Sequence, residues 1–368
     1  MPESSPGILV RLARWVDAAI GWQDIRRIAS KKTVPVHRFT IFYYLGGMAL
    51  FLFSVQVATG ILLLLYYRPS SSEAFESVQY LMADVPFGWL IRSIHSWGAN
   101  LFVGVVVLHL ATTFFGKAYR FPRQATWLSG VLLLFLALAF GFSGYLLPWN
   151  TLSYFATKVG TDVPAQMPLL GPLLSRILRG GSDVTGATLS RFYGIHIAIL
   201  PAITTLLLGV HLFMVQRHGM SVPPDVERQG TPRAMPFFPN FLMRDMAGWL
   251  VAVGILAALG AFVPWELGQK ADAFAPAPAG IRPEWYFLAV FQALKYFPAK
   301  ILGIPGETLG IGLFGLVALV VVAVPFLDRG ASRGRPSPWV NWIALIGLIA
   351  GIILTILALL PPHAGGKP

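Results

Sequence analysis

Apolar residues along this chain come in long runs, and the polar residues gather between them. Seven runs are nearly uninterrupted, covering residues 39–67, 89–116, 125–147, 190–215, 247–265, 309–327 and 339–361. At the helical rise, about 20 such residues span the roughly 30 Å of a bilayer's hydrocarbon. Strands of a membrane barrel would alternate apolar and polar positions instead, so unbroken runs predict helices. The expected fold class is all-α: a polytopic membrane protein with a four-helix bundle followed by a three-helix C-terminal part.

The segments between the runs divide the chain further. Residues 1–38 include ILVRLARWVDAAIGWQDIRRIA, where apolar and basic positions interleave. That is the pattern of a helix lying on a membrane surface, with an ordinary solvated helix as the alternative. This stretch has no apolar core like that of a cleavable signal peptide. Residues 39–215 form the four-helix domain, 216–246 a polar, proline-containing linker, and 247–368 the three-helix domain. Two connections, 148–189 and 266–308, are long, and long ordered loops usually carry function.

Charge fixes the expected orientation. The chain carries a net +12, with 28 Lys and Arg against 16 acids. With the N-terminus inside, the inner segments 1–38, 117–124, 216–246 and 328–338 hold 17 basic residues and 7 acids. The outer segments, counted with Arg92, hold 11 and 9. This is the positive-inside asymmetry, so the basic surplus reports topology and contact with anionic lipid, not nucleic acid. The absence of cysteine excludes disulfides, Cys-ligated iron–sulfur clusters and thioether-attached haem.

Four of the seven histidines lie inside the runs, His95 and His109 in the second, His196 and His211 in the fourth. On a helix, 14 residues bring side chains back to within about 40° of one face, roughly 21 Å apart. The 15 residues from His196 to His211 give about 60° and 22 Å. Both runs cross from outside to inside, so His95 can meet His196 near the outer surface and His109 can meet His211 near the inner one. Two opposed imidazole pairs at two depths are the geometry of two bis-histidine metal centres. Haem suits it, since it takes one axial ligand on each face, and without cysteine it must be a noncovalent b-type haem. A lone membrane histidine more often serves as a proton relay or helix–helix hydrogen bond, but matched pairs reverse those odds. Gly46 and Gly60 in the first run, and Gly130 and Gly144 in the third, repeat the 14-residue spacing. They are expected to let a flat macrocycle approach the backbone at both depths, the alternative being ordinary small-residue helix crossings.

The motifs HSWGANLFVGVVVLH, GFSGYLLPWN, RFYGIHIAILPAITTLLLGVH and RPEWYF make the chain resemble cytochrome b of the quinol-oxidising cytochrome bc complexes. Seven spans and the His196–His211 spacing resemble the photosynthetic branch, cytochrome b6 joined to its three-span subunit IV. FFPNFLMRD and VPFLDR look more like the respiratory branch, so the chain reads as a bacterial member with features of both.

The resemblance implies that His95 and His196 hold the outer haem and His109 and His211 the inner one, with Arg92 and Arg123 pairing with propionates. It places Pro283, Glu284, Trp285 and Tyr286 at the outer quinol-oxidation pocket, with Tyr154 and the Pro148–Trp149 turn. Photosynthetic relatives carry Asp at the position of Asn150. Glu284 is the expected proton acceptor, and Arg217, Arg244 and Asp245 are the polar groups expected at an inner quinone site. For Asp245 the alternative is a solvated surface pair with Arg244. The photosynthetic branch attaches an extra haem through a cysteine where this chain has Tyr44, so only two noncovalent haems are expected. The implied partners are a Rieske iron–sulfur protein, a cytochrome c-type subunit, quinone, lipid and a second copy of the chain, in a bacterial cytoplasmic membrane. Two rivals remain open here: a transporter using the histidines as a proton relay, and a di-haem membrane anchor for a dehydrogenase.

Overall fold

The computed structural model describes residues 7–21, 31–167, 170–332 and 337–360. Among them, seven helices are long and apolar enough to cross a membrane: Thr40–Leu64, Gly88–Phe115, Gln124–Tyr145, Gly186–His218, Phe237–Phe262, Gly306–Ala331 and Pro338–Leu359. The chain is a multi-pass helical membrane protein. Its spans present large apolar side chains outward; Leu206 and Leu250, for example, are each 74% exposed. In lipid such faces carry no penalty, and helices associate through close packing and hydrogen bonds instead.

The first span packs on the second and the third on the fourth, while the fifth lies against both the first and the second. The sixth packs on the third, and a short apolar helix, Trp285–Leu294, lies against the seventh. Hydropathy places the start of the fifth span at residue 247, but the helix already runs Leu242–Phe262. Arg244 and Asp245 interrupt the apolar pattern without interrupting the helix. The fourth span starts at Gly186, where Thr185 and Thr188 form a reciprocal capping box.

On the side expected to be outer, helices Thr151–Ala165 and Gly171–Arg179 pack against each other, beside a buried cluster that includes Trp149, Tyr154, Phe155, Leu189 and Phe192. Asn150 caps the first of these helices: its Oδ1 accepts from Ser153 N at 2.8 Å, while its Nδ2 donates to Leu267 O at 2.6 Å. A carboxylate could make the first bond but not the second, so the amide suits this join between the two outer loops.

On the side expected to be inner, Thr33–Val36 pairs antiparallel with Arg233–Pro236, tying the segment before the first span to the linker. Arg38 pairs with Asp225, and Arg120 with Glu227 at 2.9 Å. Asp328 is buried and accepts from Lys117 Nζ at 3.0 Å, Tyr119 OH at 2.7 Å and Ser337 Oγ at 2.8 Å. A buried charge needs this full set of partners, and here they join the loop after the second span to the loop between the sixth and seventh. Helix Ile8–Ile20 leaves Ile8, Leu9 and Trp15 exposed at 85%, 81% and 67%. The rest of the expected surface helix, residues 22–30, lies outside the described residues, as do 361–368.

Candidate functional site

Each of the four imidazoles sits against a glycine on a neighbouring helix. A Cβ built on Gly60 would lie 3.4 Å from Cε1 of His95, and one on Gly46 3.3 Å from Cε1 of His109. The corresponding distances are 3.3 Å from Gly130 to His211 and 2.6 Å from Gly144 to His196. The nearest protein group at each glycine is therefore an imidazole ring. His95 and His196 lie within electrostatic reach of one another, and so do His109 and His211.

Three of the rings are oriented through Nδ1. Thr59 Oγ1 lies 2.8 Å from Nδ1 of His95, Ser129 Oγ 2.8 Å from Nδ1 of His211, and Ser143 Oγ 3.1 Å from Nδ1 of His196. Nδ1 of His109 is buried without a partner. Sequence reasoning missed these hydroxyls, although the doublets Thr59-Gly60, Ser129-Gly130 and Ser143-Gly144 carry the signal.

The 15-residue separation of His196 and His211 has a structural correction. Residues Ile195–Ile199 form a π-helical turn in which Leu200 N–H bonds Ile195 O, five residues back. Pro201 follows, and proline neither donates to nor tolerates the carbonyl four residues earlier in an α-helix. The wide turn absorbs one residue, so His196 returns to the phase that 14 residues give in an uninterrupted α-helix.

A cavity of about 1100 Å³ opens at the inner level, lined by His109, His211, Gly46 and Gly130 among mainly apolar side chains. Ligand pockets commonly run from about 300 to 1,000 Å³, so this one is at the large end of that range. Among the described residues no group of three His, Cys, Asp or Glu could hold a bare metal ion. Two imidazoles in an apolar space instead suit a metal that brings most of its own ligands, as haem does. Arg123 also lines the cavity: one guanidinium nitrogen donates to His218 O at 2.9 Å, and Nε is buried without a partner. Burial pushes the Arg123 guanidinium below its usual pKa, so an anionic substituent there would be well placed. The residues present fit a haem.

The same cavity is lined by Asp245, Trp249 and His37. Asp245 is 6% exposed, and its Oδ1 and Trp249 Nε1 are both buried without a well-formed hydrogen bond, the indole lying within reach of the carboxylate. A Cβ on Gly47 would collide with the Asp245 carboxylate, so the doublet Gly46-Gly47 makes room for His109 and Asp245 in turn. Arg217 and Arg244 are exposed and line no part of this cavity. One residue is about 100° of helix, which turns Arg244 outward when Asp245 faces in and rules out the surface pair. Tyr44 stacks on Phe241 with ring centres 4.4 Å apart. His37, just before the first span, shares a hydrogen bond with Tyr43 OH at 2.6 Å, and burial lowers its imidazole pKa.

On the outer side, Glu284 sits at the N-terminus of helix Trp285–Leu294 and its carboxylate caps nothing. Burial raises its pKa above the ordinary carboxylate value. Tyr145 and Tyr286 both lie within its electrostatic reach, and the first of these was not foreseen. A Cβ on Gly141 would meet the Tyr286 hydroxyl, so that glycine seats the phenol. Trp285 Nε1 donates to Asn100 Oδ1 at 2.8 Å, pinning the helix to the second span. Tyr154, expected at this pocket, is instead 2% exposed in the outer core with its hydroxyl on Val184 O at 3.2 Å. Arg92 is 6% exposed and already donates to the carbonyls of Trp265 and Glu266.

Seven apolar spans around two pairs of glycine-seated imidazoles define a multi-pass membrane protein suited to holding haem. Residues 29–219 match the family described as Cytochrome b/b6/petB, and residues 270–365 the one described as Cytochrome b(C-terminal)/b6/petD. The chain belongs to the cytochrome b/b6 family and is an electron-transfer subunit of a cytochrome bc-type complex.

A cytochrome bc complex cytochrome b subunit from Chlorobaculum thiosulfatiphilum is 46% identical over 331 residues, covering 88% of this chain and 76% of that protein. Cytochrome b6 from Tupiella akineta is 44% identical over 209 residues, covering 57% of this chain and 97% of the relative. Among solved structures, a chain of a hyperthermophilic respiratory Complex III matches with a TM-score of 0.83 and 32% identity, covering 95% of this chain and 92% of that one.

Proposed function

We propose that this chain is the subunit that oxidises quinol at an outer site and reduces quinone at an inner one, in a proton-translocating quinol–acceptor oxidoreductase. It would hold two noncovalent b-type haems, the outer on His95 and His196 and the inner on His109 and His211. The observation that carries this reading is the set of four glycine-seated imidazoles in two pairs. Haem, when bound there, supplies one-electron transfer between the two depths.

The chain's own residues do the proton work. Quinol oxidation releases two protons and two electrons, and Glu284 is the carboxylate placed to take a proton from a quinol hydroxyl. The aromatic surround of Tyr145 and Tyr286 excludes water and orients the ring. One electron leaves for an acceptor outside this chain, a Rieske-type iron–sulfur protein, and then a cytochrome c-type subunit. The other reaches the inner side, so that two quinol oxidations supply the two electrons one quinone takes up with two protons. Asp245 gives one of these protons to a quinone oxygen, the second comes from the inner aqueous side, and Trp249 and His37 shape the pocket. The distribution of basic residues supports an N-terminus on the cytoplasmic side; in this reading the membrane is a bacterial cytoplasmic membrane and the chain works as a dimer within the larger complex.

The test is a pair of variants in the assembled complex. Because burial raises the Glu284 pKa, the carboxyl stays protonated to higher pH and its activity as acceptor rises as pH climbs through that value. Glu284→Gln should slow quinol oxidation and flatten that rise while leaving inner quinone reduction intact. Asp245→Asn should do the reverse. Unchanged turnover and pH profile in Glu284→Gln would contradict the assignment.

A further inference from the structure

Three of the four imidazoles share one local device, and the fourth lacks it. Thr59-Gly60, Ser129-Gly130 and Ser143-Gly144 each combine a glycine that seats a ring with a preceding hydroxyl beside that ring's Nδ1. The hydroxyl protons are directed elsewhere: Thr59 Oγ1 donates to Val55 O at 2.7 Å, Ser129 Oγ to Thr126 O at 2.9 Å, and Ser143 Oγ to Ala139 O at 2.7 Å. A hydroxyl that has given its one proton to a carbonyl can only accept from the ring. Nδ1 of His95, His211 and His196 therefore carries the hydrogen, and Nε2 presents the bare lone pair. At the fourth position the doublet is Leu45-Gly46, and Nδ1 of His109 has no partner. The outer pair, His95 and His196, has a hydroxyl on both rings, whereas the inner pair has one only, on His211.

We propose that Thr59, Ser129 and Ser143 are positioning residues that fix the tautomer and strengthen the donor character of their imidazoles, and that Leu45 withholds this from His109. The inference rests on the haem reading given above. A hydrogen bond from Nδ1–H raises the basicity of a ligating imidazole, and a more basic ligand favours the more oxidised, more positive metal. The outer centre then has the lower midpoint potential and the inner the higher, so the hydroxyl pattern itself directs electrons inward.

The test is a redox titration of the purified complex, with haem content measured on the same samples. Thr59→Val and Ser143→Ala should raise the outer midpoint and leave the inner in place, and Ser129→Ala should raise only the inner. Leu45→Ser should lower the inner midpoint alone. The expected size is about tenfold, the lower end of the loss in metal affinity that removing such partners causes, here falling on the oxidised state; that is 59 mV for a one-electron couple. Thr59→Ser keeps the hydroxyl and should keep the wild-type potential, which separates the hydrogen bond from a general packing defect. Unmoved midpoints in Thr59→Val and Leu45→Ser, with both haems bound, would overturn the proposal while leaving the haem reading standing. Absence of haem from the unaltered chain would overturn both.

Discussion

Replacing Gly144 by alanine should damage the outer centre selectively. The added methyl would lie 2.6 Å from Cε1, 3.1 Å from Nδ1 and 3.2 Å from Nε2 of His196. That is roughly 0.9–1.4 Å inside ordinary carbon contact, and the ring cannot absorb it by a small tilt because three of its atoms are crowded together. It is also held in place by Ser143, the neighbouring residue, at 3.1 Å. Overpacking of this kind costs about 1–3 kcal/mol, or roughly 5- to 150-fold in retention of a group that depends on the ring. The other glycines set a scale. A methyl on Gly46 or Gly130 would meet its ring at 3.3 Å, and one on Gly60 would reach His95 at 3.4 Å, an ordinary contact. Haem content and redox titration of the four alanine variants should therefore rank Gly144 as most severe, Gly46 and Gly130 as mild, and Gly60 as nearly silent. Equal losses at Gly60 and Gly144, or loss of the inner haem in Gly144→Ala, would refute the reasoning.

His109→Ala should remove the inner haem and spare the outer, since each centre draws one ligand from each helix; a redox titration should then show one b-type component instead of two. Deleting Ala198 together with Pro201→Ala should convert the π-helical turn into continuous α-helix and keep both haems, because the turn already absorbs one residue; loss of the outer haem in that variant would show that the turn does not set the phase of His196.

The spans, their number and the histidine faces were legible because lipid makes the pattern coarse. Unbroken apolar runs have one helical solution, and imidazoles inside them stand out. Boundaries were less legible where polar residues face inward, as Asp245 does in the first turn of the fifth span's helix. The three hydroxyls were overlooked because serine and threonine are common in membrane helices, where they usually bond their own backbone. Here they do that and accept from a neighbouring ring as well. Arg217 and Arg244 were placed by proximity in sequence to the inner boundary, which says nothing about which side of a helix they occupy. The family resemblance implied Tyr154 at the outer pocket, but the capped helix that begins at Thr151 turns it into the outer core. The π-helical turn could have been anticipated, since Pro201 sits within a span whose histidines are one residue too far apart.

The central claim is that two pairs of imidazoles hold two noncovalent haems. A reduced-minus-oxidised spectrum of the purified chain, with haem and protein quantified on one sample and haem staining after denaturing electrophoresis, tests it most directly. The account predicts b-type bands, two haems per chain, and no haem left on the denatured polypeptide. A ratio near one or zero, or a haem that stays attached to a chain without cysteine, would contradict it.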